Sequence, residues 1–101
     1  MDRITNKQLE ILADRMNEVT GSPKEAWTRA KDGTLKANIG NFHISRAYGG
    51  ACVHRMMSEG GGVTTPISYG HIPRRDLFEL MHAWLRGFEE AKSQCSKKAA
   101  A

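Results

Sequence analysis

The sequence predicts an α+β fold of order α-β-β-β-β-α, an antiparallel meander sheet with two helices packed on one face. Three observations carry that prediction. Thr5-x-x-Gln8 followed by an apolar stripe opens the chain as a capped helix. Gly49-Gly50 stands between two alternating runs, Asn41 to Tyr48 and Ala51 to Met57, where a tight hairpin turn belongs. Leu77, Leu80, Met81, Trp84, Leu85 and Phe88 then recur at helical spacing and close the chain with a second amphipathic helix.

The first helix is expected over Asn6 to Thr20. Thr5 and Gln8 form the capping box, and Ile4 and Leu9 occupy the two positions of a hydrophobic staple. Leu9, Leu12, Met16 and Val19 make the stripe, with Ile11 beside it. Gly21 ends the helix and Pro23 blocks its continuation. Ala26 to Ala30 reads as a short strand, Asp32-Gly33 as a turn, and Leu35 to Ile39 as a second strand. Gly40-Asn41 permits a turn or a bulge. Phe42 to Tyr48 and Ala51 to Met57 are strands three and four. Ala51 to Glu59 also tolerates helix, so that alternative stays open. Glu59 to Ile72, with three consecutive glycines and Pro66, reads as a mobile linker. No Gly-Lys-Ser/Thr follows those glycines, so the loop is not a phosphate cradle of the P-loop type. Pro73 suits a helix start, and the last helix is expected from Arg74 to Ser93. Residues 1–94 form one domain. Residues 95–101 read as a disordered tail whose closing alanines look like a cloning remnant.

At 101 residues the chain supports one modest core. No apolar run reaches the ~20 residues of a membrane span, and no signal-peptide stretch opens the sequence, so a cytoplasmic setting is expected. Cys52 and Cys95 are two thiols without a disulfide framework. Their spacing with His43, His54, His71 and His82 matches no zinc pattern, so no metal site and no cofactor is expected.

A two-residue turn at Gly49-Gly50 pairs Tyr48 with Ala51, Ser45 with His54 and His43 with Met56. One face then carries Phe42, Ile44, Arg46, Tyr48, Val53, Arg55 and Met57. The other carries His43, Ser45, Ala47, Cys52, His54 and Met56. The first set has the bulk, yet the pattern leaves the inner face open. Ser45 beside His54 suggests a nucleophile and base, but a group to orient the imidazole and an oxyanion hole are not visible.

Net charge is +4. Between Pro23 and Arg75, eight bases (Lys24, Arg29, Lys31, Lys36, Arg46, Arg55, Arg74, Arg75) stand against three acids (Glu25, Asp32, Glu59), so the excess belongs to the strands and their exit loop. Arg74-Arg75 opens a helix whose N-terminus is already partly positive, which favours an anion there unless Asp76 compensates. Trp27, Tyr48 and Tyr69 offer rings for stacking, although Trp27 suits a core equally.

Asn41-Phe42-His43-Ile44-Ser45, Ala47-Tyr48-Gly49-Gly50, His54-Arg55-Met56, Gly60-Gly61-Gly62 and Arg74-Arg75-Asp76-Leu77 together resemble small uncharacterised proteins of bacteriophages and prophages. The resemblance spans Thr5 to Phe88. It implies a mobile-element origin and a bacterial host cytoplasm, and it supplies no activity or catalytic residue. That pattern often has Ser or Thr where this chain has Pro73, so the cap of the last helix is lost here.

The resulting expectation is a non-enzymatic accessory protein that binds nucleic acid or a nucleotide on a basic sheet face. Arg46, Tyr48, Arg55, Arg74 and Arg75 are its candidate ligand-binding residues. The alternative is a protein-interaction module, either an inhibitor of a host factor or a homodimer. A hydrolase built on Ser45 and His54 is the third reading.

Overall fold

The computed structural model describes residues 3–100, with side chains through Cys95. It is an α+β arrangement of two helices packed against antiparallel strands. Helix α1 spans Asn6–Thr20. Its capping box is formed: the Gln8 N–H donates to Thr5 Oγ1 at 3.2 Å, and the Thr5 N–H donates to Gln8 Oε1 at 2.7 Å. Gly21, at φ 69°, closes the helix by donating its N–H to the carbonyls of Asn17 and Glu18.

The strands divide into two small sheets, where a single meander was expected. Strands β1 (Trp27–Arg29) and β2 (Leu35–Ala37) pair only with each other, while β3 (Phe42–Ala47), β4 (Gly50–Met56) and β5 (Val63–Thr64) form the second sheet. The break falls at Gly40-Asn41. Gly40 takes φ 95°, and the buried Asn41 turns its amide to the carbonyls of Pro23 and Lys24 at 2.8 and 3.1 Å. That turn directs β3 away from the β2 ladder. The segment after Ala51 is strand, which settles the choice between strand and helix.

Glu59 to Ile72 is not a plain linker. Val63 pairs with Met56 and Thr64 with Arg55, and Ile72 forms a bridge to Ala51 with two backbone hydrogen bonds of 2.8 and 2.9 Å. The far edge of β4 would otherwise present unpaired backbone groups, and this segment satisfies part of it.

Helix α2 runs from Arg74 to Ala100. It starts where expected, with the Leu77 N–H donating to the Pro73 carbonyl at 3.0 Å. It continues past Ser93 through most of the segment expected to be a tail. No glycine or proline follows Ser93, and lysine and alanine favour helix. Ala101 and the side chains from Ser96 onward lie outside the described residues.

The core lies between the helices and one face of the β3–β4 hairpin. Leu9, Leu12, Ala13 and Met16 of α1 meet Phe42, Ala51 and Val53 of the sheet and Leu77, Met81 and Leu85 of α2. Burying each larger side chain contributes roughly 1.5–3 kcal/mol before entropy. The Phe42 ring stands edge-on to Trp84 at 5.6 Å. Ile11 and Leu80, placed beside or within the predicted stripes, are about half exposed. Asn17 is the buried polar joint of this layer. Its side chain accepts from the Phe42 N–H at 2.7 Å and donates to the Phe42 carbonyl at 2.9 Å, in the way a neighbouring strand would. Among the described residues no helix is long and apolar enough to cross a membrane.

Candidate functional site

The hairpin turn sits one residue earlier than the sequence suggests. Ala47 pairs with Gly50, so Tyr48 and Gly49 are the turn residues, at φ 54° and 75°. Positive φ at both central positions is the requirement of the hairpin turn that matches strand twist. Gly50 is needed for a different reason. A Cβ there would stand 2.6 Å from the Ile72 carbonyl oxygen, so only glycine lets Ile72 approach β4.

Moving the turn changes every partner by two positions and leaves the paired strand residues on their expected faces, whereas Tyr48, expected on the face of Arg46, becomes a turn residue with its ring beside His71. Phe42, Ile44, Val53 and Ala51 face the helices. His43, Ser45, Cys52 and His54 face away. The expected Ser45–His54 pairing is therefore corrected: Ser45 lies opposite Cys52, and His43 opposite His54. Ser45 finds a different imidazole, with its Oγ 3.0 Å from His71 Nε2. His71 arrives through the Ala51–Ile72 bridge, which sets the preceding residue beside Cys52 on the outer face.

Strand β4 and the bridge segment thus deliver one cluster, with Ser45 of β3 beside it. Single donor atoms of Cys52, His54 and His71 all lie within 4.8 Å of one another. Cys52 is fully buried and both imidazoles are half-buried. His43 extends the row, with its ring edge-on to His54 at 5.6 Å and its Nδ1 3.2 Å from Asn41 Oδ1. Tyr48 stands edge-on to His71 at 5.8 Å. Burial, and then the neighbouring imidazoles, hold His43 and His54 below the ordinary histidine range, so both are neutral near pH 7. Burial pushes the Cys52 thiol up. Sequence spacing does not show this cluster, because His71 lies in a segment without a strand pattern. The only available signal is the pair His71-Ile72, polar then apolar just before Pro73, which matches the alternation of Cys52 and Ala51.

The five residues expected to bind a ligand separate into two groups. Arg46 is paired with Ala51, and Ala51 is bridged to Ile72, two residues before Arg74. With strands about 4.8 Å apart, the backbones of Arg46 and Ile72 are roughly 10 Å apart. Tyr48, 97% exposed, caps this end of the hairpin. Arg46, Arg74 and Arg75 are exposed there as well. Arg55 does not join them. It lies four residues further along β4, roughly 13 Å away, with its guanidinium 4.9 Å above the Phe42 ring. The outward face of the sheet is consequently lined with imidazoles, while Arg46 and Arg55 flank the helix-facing side at its two ends.

Comparison of the chain with known protein families, with curated proteins and with solved structures finds no match.

Proposed function

We propose that the protein is a non-enzymatic binding module that takes an anionic partner, a nucleic acid, at the hairpin-tip end. The observation that carries this reading is the Ala51–Ile72 bridge, which brings the start of α2, with Arg74, to the same end of the hairpin as the exposed Tyr48 turn and Arg46. Cations there neutralise phosphates, and an exposed ring gives a base a stacking surface.

The test is fluorescence anisotropy with short labelled single- and double-stranded DNA and RNA across a salt series. Binding should weaken steeply with salt. Changing Arg46 and Arg74 together to alanine should lower the log–log salt slope by about 1–2. Arg55→Ala should change it little, because Arg55 lies at the other end. No binding at low salt overturns the reading, as does an Arg55→Ala loss equal to that of the double variant.

One observation favours a second reading. Trp27, Met57 and Val63 are all substantially exposed, and the Trp27 ring lies beside Gly61 in the loop that joins the other two, which suits a protein partner or a second copy. Association through that band would be insensitive to salt and would appear as a mass increase in light scattering.

A further inference from the structure

We propose that Cys52, His54 and His71 form a binding site for a zinc-like divalent metal ion. The site uses none of the arginines, although the same Ala51–Ile72 bridge positions His71.

The donor set suits that class of ion. One thiolate and two imidazoles are borderline-soft ligands of the kind that select zinc over magnesium or calcium. Metal–ligand bonds of about 2.0–2.3 Å put donors of a tetrahedral site roughly 3.5 Å apart. The three donors here already lie within 4.8 Å, so small side-chain rotations close the site. The backbone beneath is fixed. Cys52 and His54 are alternate residues of a central strand, so they share a face. His71 is held by the double hydrogen bond of the adjacent Ile72.

The surroundings fit as well. A metal-bound histidine normally has its second ring nitrogen engaged, and Ser45 Oγ engages Nε2 of His71, which leaves Nδ1 for the ion. Neutral imidazoles are the form that ligates. Cys52 must give up its proton to solvent as the metal–sulfur bond forms, so binding strengthens as pH rises. Three protein ligands leave one position of a tetrahedral ion for water or for a donor from a partner.

The experiment uses the whole chain, stripped with chelator and titrated with cobalt(II), then with zinc(II). A single equivalent of cobalt should give a near-ultraviolet thiolate charge-transfer band and the visible bands of tetrahedral cobalt. Zinc should bleach both. Cys52→Ser should abolish the charge-transfer band. His71→Gln, at a half-buried position, should keep the fold by circular dichroism and weaken binding at least about tenfold. Cys95→Ser, an exposed thiol on α2, should leave the spectra unchanged. Overturning results are no cobalt band in the parent chain, a band that survives Cys52→Ser, or one that is lost in Cys95→Ser. A cluster that is only packing gives the first of these.

Discussion

On one face of the β3–β4 hairpin, Phe42, Ala51 and Val53 are at most 2% exposed, pressed against Leu9, Met16, Leu77 and Met81. On the other face of the same strands, His43, Ser45 and His54 remain half open around the buried Cys52, and His71 reaches in from the following segment. The pleat alone separates the two, because successive side chains point to opposite sides. The helix-facing side is apolar and filled by two helices, so it supplies stability. The outer side has no helix over it, which leaves room for polar groups to meet. A two-layer fold of this size thereby obtains one wall of its core and two of the three residues of its candidate site from the same two strands, β3 and β4.

Breaking the apolar face should do the most damage. Leu77→Ala should cost about 2–5 kcal/mol in urea unfolding, from lost transfer energy and the cavity left behind. His43→Ala, across the sheet, should cost less than about 1 kcal/mol. Equal losses would mean that the outer face carries as much of the stability as the core.

The bridge that brings His71 to the outer face can be cut at a single atom. Gly50→Ala forces its new methyl against the Ile72 carbonyl, so the bridge must open. The expected cost is about 1–3 kcal/mol, accompanied by loss of the cobalt spectrum as His71 moves away. Gly49→Ala is the contrasting variant. It meets no atom within 4 Å and is strained only by its φ of 75°, so it should destabilise while the cluster persists. A Gly50→Ala protein with an unchanged cobalt spectrum would show that the bridge does not position His71.

Acid should act on the outer face first. His43 and His54 titrate below 6.5 when folded, so neither folded nor unfolded chain holds the extra protons well above that pH. Below it the unfolded chain takes up protons that the native imidazoles refuse. Stability of the metal-free protein should therefore fall as pH drops through 6.5 toward the lower folded values, and level off beneath them. Chemical denaturation across that range checks the sign, and a His43→Ala, His54→Gln variant should flatten the slope.

The smallest effect is a gain. Tyr48 occupies the left-handed region at φ 54°, where a tyrosine costs about 1–2 kcal/mol and asparagine much less. Tyr48→Asn should raise stability by up to about 1 kcal/mol while weakening oligonucleotide binding through lost stacking. Raised stability with undiminished binding would remove Tyr48 from the proposed interface.

Much of the fold was legible beforehand because its signals are local. Thr5, Gln8 and Gly21 bound α1 through hydrogen bonds within a few residues. The alternation from Phe42 to Met56 assigned residues to faces correctly, even with the turn misplaced by one, since the error moved partners by an even number. The split into two sheets was not legible. It depends on Asn41 reaching back to Pro23 and Lys24, contacts 17 and 18 residues apart. The role of Asn17 was hidden for the same reason, its partner Phe42 lying 25 residues away.

By itself, then, the sequence determined where the helices start, which residues share a strand face, and that the charge excess lies between Pro23 and Arg75. Caps, periodicity and composition are properties of neighbouring residues, and no distant contact is needed to read them. Only the tertiary structure decided which arginines share an end of the hairpin and which histidines meet Cys52. Both outcomes rest on the Ala51–Ile72 bridge, a pairing across 21 residues that forms because β4 has a free edge and Gly50 leaves space for it.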